Sequence, residues 1–185
     1  HAISGVLFSN LSTLIQLHVI LFLTVRVPEG WMFKPFTYGL IASLILPWFY
    51  VWKKSIPSQE HAGQFKGSAF DLKSSIGFTL LVTGLNLASS ALYAWLGPTG
   101  VLMTSALAGF TDAHANISSI ASLHNKGDIT SEQVELSVLL AYSTNAISKI
   151  LMTIIFGNRE FKFHIIGGVM AVVGIVWFGF LLHAI

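Results

Sequence analysis

The chain alternates between long apolar runs and short polar connections. The apolar runs cover residues of about 3–25, 36–52, 70–96, 101–123, 134–156 and 161–185. A helix of about 20 mainly apolar residues crosses the hydrocarbon core of a bilayer, so each run predicts one transmembrane helix. The pattern therefore predicts an all-α fold, a polytopic membrane helix bundle of six spans that forms a single domain over residues 1–185.

Composition supports a membrane protein and excludes several other classes. Hydrophobic residues make up 54% of the chain and charged residues 10%, whereas a typical soluble domain has roughly 25% charged residues. The net charge of +2 is too small and too dispersed for a nucleic-acid surface. The chain has no cysteine, which excludes disulfides, thiolate metal sites and cysteine nucleophiles. The partner expected for most of its surface is the lipid bilayer.

The charges in the connections favour one orientation. With six spans, both termini share a side with five basic residues, which are Lys53, Lys54, Lys66, Lys73 and Lys126. The other side carries four, which are Arg26, Lys34, Arg159 and Lys162. Because basic residues concentrate in cytoplasmic connections, this small excess favours cytoplasmic termini.

Two parts of the chain resemble each other. Residues 9–18 read SNLSTLIQLH, and residues 115–124 read ANISSIASLH. The first segment lies in span one and the second in span four, which suggests two halves of three spans each. Halves with an odd number of spans have opposite orientations, so the similarity favours a 3+3 inverted repeat of the kind found in transporters. The alternative is chance similarity between apolar helices.

Asp112 and Lys149 are the two full charges that lie inside apolar runs. On a continuous helix over 101–123, Asp112 shares a face with Asn116, and a second polar face contains Thr111 and His114. A helix that is polar on two sides is expected to lie in the centre of the bundle. Span five has a matching polar face, formed by Ser137, Thr144, Asn145, Ser148 and Lys149.

Three roles for Asp112 remain open. It could form a structural ion pair with Lys149, because an unpaired charge inside the membrane is costly. It could bind a cation such as Mg2+ together with Asn116 and Asn145, because hard cations prefer oxygen ligands. It could also carry protons, because burial raises the pKa of a carboxylate. The candidate site residues are Thr111, Asp112, His114, Asn116, Asn145, Ser148 and Lys149.

His114 is expected to be a packing residue that faces away from Asp112. The chain shows neither a transition-metal ligand spacing nor an arrangement of residues for hydrolysis. We therefore expect that the protein is not an enzyme and binds no cofactor.

Residues 96–123, LGPTGVLMTSALAGFTDAHANISSIASL, and 141–161, AYSTNAISKILMTIIFGNREF, carry a family resemblance. They resemble the C-terminal membrane domain of uncharacterised function in longer bacterial proteins of the MgtC/SapB family. The resemblance extends more weakly over spans one to three. It implies a multi-pass protein of the bacterial inner membrane, and it singles out Gly109, Thr111, Asp112, His114, Asn145 and Lys149. His114 and Gln16 depart from the family pattern, in which Asp and Arg are expected.

Two functions follow from these patterns. The first is a small transporter or channel for an inorganic cation or small solute, with a polar site on spans four and five. The second is a non-transporting membrane module that regulates or binds a partner protein. Six short helices form a small scaffold, which favours a homodimer, and Gly167, Gly168 and Gly174 offer one candidate contact surface.

Overall fold

The computed structural model of the chain describes residues 2–25, 30–53, 72–156 and 159–184. These residues form seven α-helices and one short 3-10 helix, with no β-strand among them. The α-helices are α1 (Ala2–Thr24), α2 (Gly30–Lys53), α3 (Leu72–Leu96), α4 (Val101–Ala108), α5 (Ala113–Lys126), α6 (Ser131–Phe156) and α7 (Arg159–Ala184). The 3-10 helix is Gly97–Gly100. The all-α fold class is therefore confirmed.

The helices have the apolar character of a membrane protein. Within the described residues, three helices are long and apolar enough to cross a bilayer, over Gly5–Thr24, Ser131–Ile155 and Lys162–Leu182. A shorter apolar stretch, Lys34–Leu46, lies in α2. Large apolar side chains such as those of Leu23, Trp95 and Phe163 are exposed on the outside of the bundle. Lipid tails are the solvent that suits such a surface.

The two ends of the bundle are named after residues of α1 and α2. We call the end where α1 finishes and α2 begins the Thr24 end, and the end where α2 finishes the Lys53 end. The helices α1 and α2 are antiparallel, and His18 Nε2 of α1 lies 3.2 Å from Thr37 Oγ1 of α2. The early part of α7 packs against early α1 at Gly168 and Leu7, and its late part packs against early α2 at Val176 and Gly39. The helix α7 therefore begins at the Lys53 end and finishes at the Thr24 end.

The fourth apolar run is not one helix. The helix α4 ends at Ala108, residues 109–112 form a turn, and α5 begins at Ala113. Asp112 has φ −150° and ψ 96°, an extended conformation that interrupts an α-helix. The prediction of one continuous span over 101–123 was wrong, because the Asp112 side chain starts a new helix instead of continuing the old one.

The helices α4 and α5 form a hairpin that returns to the end at which it began. Val101, at the start of α4, belongs to the same buried cluster as Val134 and Val138 of early α6. At the end of α5, Asn125 Nδ2 donates a hydrogen bond of 2.7 Å to the carbonyl oxygen of Thr24. Both ends of the hairpin therefore lie at the Thr24 end. Six straight spans would place residues 24 and 125 on opposite sides of the membrane. The prediction of straight spans was therefore wrong for the fourth apolar run.

The hairpin turn lies at the middle height of the bundle. Gly109 packs so closely on α6 that a Cβ atom there would overlap the carbonyl oxygen of Ala141 and Thr144 Oγ1. These two residues lie near the middle of α6, which is 26 residues long. The turn therefore brings irregular backbone to the centre of the molecule.

Tight turns on either side of the hairpin connect it to its neighbours. The Gly97–Gly100 turn joins α3 to α4, as the sequence predicted, and Gly97 has a φ of 55° that favours glycine. The helix α6 begins with a capping box, in which the Gln133 N–H bonds Thr130 Oγ1 and the Thr130 N–H bonds Gln133 Oε1. These turns fix where the hairpin begins and where α6 leaves it.

The predicted inverted repeat and the predicted dimer contact both differ from the structure. The similar segments 9–18 and 115–124 lie in α1 and α5, which pack on each other and finish at the same end. They do not have the opposite directions that the predicted inverted repeat requires. In the predicted dimer contact, Gly168 is buried against Leu7, whereas Gly167 and Gly174 face open space. The predicted charges at Arg26, Lys54 and Lys66 lie outside the described residues.

The close contact between Gly109 and α6 predicts that a methyl group added at residue 109 destabilises the protein. Gly109 has a φ of −60°, which alanine adopts freely, so any cost of Gly109→Ala comes from overlap with α6. We expect destabilisation of about 1–3 kcal/mol, the usual cost of overpacking. Thermal unfolding of the detergent-solubilised protein measures it.

Gly84→Ala is the matched control, because a Cβ atom at Gly84 in α3 meets nothing within 4 Å. Alanine is the better helix former by up to about 1 kcal/mol, so this variant should be as stable as the unmodified protein or more stable. Equal stability of the two variants would show that the hairpin does not rest on α6.

Candidate functional site

Asp112 is the residue that starts the second arm of the hairpin. Its Oδ1 atom accepts hydrogen bonds from the backbone N–H groups of His114, at 2.9 Å, and Ala115, at 3.2 Å. The positive end of the α5 dipole also stabilises a carboxylate at this position. Among the described residues, all hydrogen bonds to the Asp112 side chain go to Oδ1. Its Oδ2 atom is therefore available to another ligand.

Asp112 is exposed although it lies at the middle height of the bundle. Its side chain is 53% accessible, and that of His114 is 33% accessible. A carboxylate at this depth is far too costly to face lipid tails. Water or a polar ligand is the environment that suits it. The hairpin turn thus exposes an acceptor oxygen at the middle height of the bundle.

His114 does not face away from Asp112, so that prediction was wrong. Its Nδ1 atom lies 3.3 Å from Asp112 Oδ1. The prediction assumed an uninterrupted rotation of 100° per residue, and the extended backbone of Asp112 breaks that rotation. The other ring nitrogen, Nε2, is buried without a hydrogen-bond partner.

Thr111 and Asn116 flank the capping residue. Thr111 Oγ1 donates a hydrogen bond of 3.0 Å to the Ala108 carbonyl at the end of α4. Asn116 lies one turn into α5, where its side chain is buried and its Nδ2 atom has no partner. Both residues were predicted on one continuous span four, but Thr111 lies in the turn and Asn116 lies in α5 beyond it.

Lys149 does not pair with Asp112. Its Nζ atom instead contacts three oxygens of α1: Thr13 Oγ1 at 2.9 Å, the Ser9 carbonyl at 3.2 Å and Asn10 Oδ1 at 3.4 Å. Within the described residues, the basic side chain within 4.0 Å of the Asp112 carboxylate is that of His114. The structural ion pair between Asp112 and Lys149 was therefore wrong. The face of α6 that carries Lys149 turns towards α1, whereas Ala141 and Thr144 meet the hairpin.

At 100° per residue, Asn145 lies between these two faces of α6, and Ser148 lies on the face that carries Ala141 and Thr144. Both are partly buried, and Asn145 Oδ1 is a buried acceptor without a partner. No hydrogen bond among the described residues joins Asn145 to Asp112 or Asn116. The predicted cation ligands therefore lie on neighbouring elements without direct contact. The described residues contain no group of three or more His, Cys, Asp or Glu side chains that could hold a metal ion.

Sequence reasoning missed two buried polar residues of α6. Glu135 is 4% exposed and Tyr142 is fully buried, and Glu135 Oε1 has no hydrogen-bond partner among the described residues. The Asn10 side chain of α1 lies beside the Tyr142 hydroxyl. Their spacing from Lys149, at intervals of seven residues on one helix, is a signal in the sequence that could have identified them.

Comparison with known proteins gives a family but no activity. A family described as a domain of unknown function (DUF4010) matches residues 1–157. An uncharacterized protein of Aquifex aeolicus (strain VF5) is 26% identical over 163 residues, which cover 83% of this chain and 68% of that protein. No solved structure matches the chain. Neither description mentions MgtC/SapB proteins, so that part of the resemblance stays a prediction.

The capping role of Asp112 predicts that two substitutions of this residue differ in their effect on stability. Asparagine caps helices nearly as well as aspartate, so Asp112→Asn should leave stability almost unchanged, whereas Asp112→Ala should cost about 1 kcal/mol. Chemical or thermal unfolding in detergent measures both.

A double-mutant cycle with Lys149→Met tests the absence of an ion pair. Residues without a shared contact add within about 0.5 kcal/mol, so Asp112→Asn and Lys149→Met should show no larger coupling than this. A larger coupling energy would show that Asp112 and Lys149 do form an ion pair, contrary to the structure.

Proposed function

The chain belongs to the DUF4010 family, and from that premise we propose that it is a small membrane transporter or channel for an inorganic cation. Its path runs past the turn between α4 and α5, and the Asp112 carboxylate is the group that attracts the cation. The protein acts in the cytoplasmic membrane of a bacterium and carries out no chemical reaction on its substrate.

The interrupted helix is the observation that carries this proposal. Lipid cannot satisfy backbone N–H and C=O groups, so irregular backbone at membrane depth is tolerated where protein buries it or where it lines a water-filled cavity. Discontinuous helices with exposed ends form the binding sites of many transporters. The turn at 109–112 is buried against α6 on one side by Gly109, and on the other side it exposes Asp112.

The negative charge at the turn favours a cation over an anion, although two nitrogens without partners, His114 Nε2 and Asn116 Nδ2, also lie on the hairpin. Asp112 Oδ2 and the buried Asn145 Oδ1 are both acceptors without a hydrogen-bond donor among the described residues. Carboxylate and amide oxygens are the ligands that hard cations prefer. A cation that reaches the turn therefore finds a negative charge and neutral oxygens on two neighbouring elements.

The hairpin also sharpens the charge asymmetry across the membrane. With α4 and α5 returning to the Thr24 end, four basic residues of the described part of the chain lie towards the Lys53 end: Lys53, Lys73, Arg159 and Lys162. Two lie towards the Thr24 end, which are Lys34 and Lys126. This excess supports a cytoplasmic Lys53 end.

A non-transporting module that binds a partner protein is the second candidate. The hydrogen bonds from Lys149 to α1 favour it, because they give that charge a structural role without any solute. In this alternative the link with MgtC/SapB proteins would reflect regulation of a neighbouring protein rather than transport.

Flux through reconstituted protein separates the two candidates. We expect proteoliposomes containing the full chain to carry Mg2+, Na+ or K+ faster than protein-free vesicles, and Asp112→Asn to remove that flux. Because asparagine keeps the helix cap, the loss would report the charge rather than misfolding.

The matched control is Asp128→Asn, which removes an exposed carboxylate in the turn between α5 and α6. It should carry the cation at the rate of the unmodified protein. Equal flux through the unmodified protein and Asp112→Asn for every cation would remove Asp112 from the path, and no flux through either would favour the non-transporting module.

A further inference from the structure

The contact between Lys149 of α6 and α1 has the geometry of a cation site. Lys149 Nζ lies 2.9 Å from Thr13 Oγ1, 3.2 Å from the Ser9 carbonyl oxygen and 3.4 Å from Asn10 Oδ1. An ammonium group has three donors and no acceptor, so these three oxygens satisfy it. All three come from little more than one turn of α1. We call them the α1 oxygen cluster.

Each oxygen of the α1 oxygen cluster presents lone pairs to the ammonium. Thr13 Oγ1 donates its own hydrogen to the Ser9 carbonyl oxygen, at 2.9 Å, and therefore accepts from Lys149. A carbonyl oxygen can only accept, and Asn10 turns its amide oxygen towards the lysine. Asn10 is fully buried and Thr13 is 7% exposed, so packing holds both side chains in place. The cluster is thus a fixed set of acceptors directed at one point.

Neutral oxygens hold the charge of Lys149. Among the described residues, no carboxylate lies within 4.0 Å of its Nζ atom. Oriented dipoles therefore stabilise the ammonium, as the carbonyl oxygens of a selectivity filter stabilise a potassium ion. Such a cluster recognises a positive charge whether an ammonium group or a metal ion carries it.

The chemistry of the α1 oxygen cluster favours a monovalent cation over Mg2+. Magnesium requires oxygens at about 2.0–2.1 Å, dehydrates reluctantly and is usually bound through carboxylates. The α1 oxygens lie 2.9 to 3.4 Å from the ammonium nitrogen, and none of them carries a full charge. Neutral oxygens can instead replace the hydration shell of a cation such as K+.

Lys149 can leave the α1 oxygen cluster without moving a helix. The helices α5 and α7 each pack against both α1 and α6, so they fix the spacing of that pair. The partly buried lysine reaches α1 through a flexible stem of four carbons. Rotation of that stem leaves the three oxygens free to bind another cation.

We propose that the α1 oxygen cluster is a binding site for a monovalent cation, which the Lys149 ammonium occupies as a tethered ligand. A free cation such as K+ or ammonium competes with the lysine for the same three oxygens. The occupant decides whether the side chain of Lys149 joins α6 to α1. Asp112 lies on the hairpin and has no part in this exchange, so the proposal goes beyond the cation path at the turn.

Removal of the lysine tests the proposal in the full chain, solubilised in detergent. In Lys149→Ala the cluster has lost its tethered ligand, so K+ or ammonium should raise the Tm relative to the larger choline ion at equal chloride concentration. We expect a rise of about 3–6 °C at a tenfold excess of the cation over its Kd. The unmodified protein should show no rise of this size, because the lysine already holds the site. Mg2+ should stabilise both proteins to the same extent.

Lys162→Ala is the matched control for loss of a lysine. Lys162 Nζ donates a hydrogen bond to the Ile154 carbonyl oxygen rather than to a cluster of oxygens, so its removal should create no response to K+ or ammonium. Thr13→Val, added to Lys149→Ala, is the control for the site itself. It removes one of the three oxygens and keeps the shape of the side chain, so it should abolish the response.

Lys149→Gln decides the question if Lys149→Ala does not fold. Glutamine keeps most of the stem and places a further neutral oxygen beside the position that the ammonium leaves. K+ or ammonium should therefore stabilise this variant as well, again relative to choline.

Three results would overturn the proposal. The first is a Lys149→Ala protein, or in its place a Lys149→Gln protein, that responds to K+ and ammonium no more than the unmodified protein does. The second is a response that survives Thr13→Val. The third is failure of both Lys149 variants to fold in every salt, because a free cation then does not replace the lysine. All three are independent of whether a cation moves past Asp112.

Discussion

Every backbone N–H group at the interruption between α4 and α5 must find a partner inside the bundle, because lipid offers none. The N–H groups of Gly109, Phe110, Thr111 and Asp112 bond to the last carbonyls of α4, at distances of 2.8 to 3.1 Å. The next free N–H groups, at the start of α5, bond to the Asp112 carboxylate. Gly109 then lets this closed turn rest directly on the α6 backbone. The hairpin, the position of Asp112 and the return of α5 to α1 all depend on this arrangement.

The same turn divides the polar residues of the molecule into two regions. One region surrounds Asp112 on the hairpin, and the other lies where Lys149 of α6 meets α1. The helix α6 packs against α4, α5 and α7 and reaches α1 through its lysine, so it separates the two regions. The sequence predicted span four as the central helix, but it is α6 that lies between the two polar regions.

Sequence periodicity predicted the helices that are apolar from end to end. The helices α1, α6 and α7 lie close to the predicted boundaries, and the glycines of the 97–100 turn marked its position correctly. The interruption at 109–112 was not predicted, because the run contains no proline and remains apolar on both sides. One signal was present: Thr111 and Asp112 are residues that favour helix starts.

The partners of the charged residues could not be read from the sequence for a different reason. A continuous helix would have placed Asp112 and Asn145 at similar depth, with Lys149 one turn away, but the extended residue at 112 changed the direction of α5. The contact of Lys149 with Thr13 and Asn10 depends on how α1 packs, over more than 130 residues of separation. Tyr142 counted as apolar in the hydropathy pattern, although its hydroxyl is buried among polar side chains.

The return of α5 to the Thr24 end is the central structural claim, and chemical cross-linking tests it directly. The chain has no cysteine, so a protein with Thr24→Cys and Asn125→Cys carries two thiols of known position. A short bifunctional maleimide should join them in membranes, and it should not join Thr24→Cys to Lys162→Cys at the opposite end. Six straight spans would separate residues 24 and 125 by about 30 Å of hydrocarbon. Absence of the first cross-link, with both cysteines reactive to a single maleimide, would contradict the hairpin.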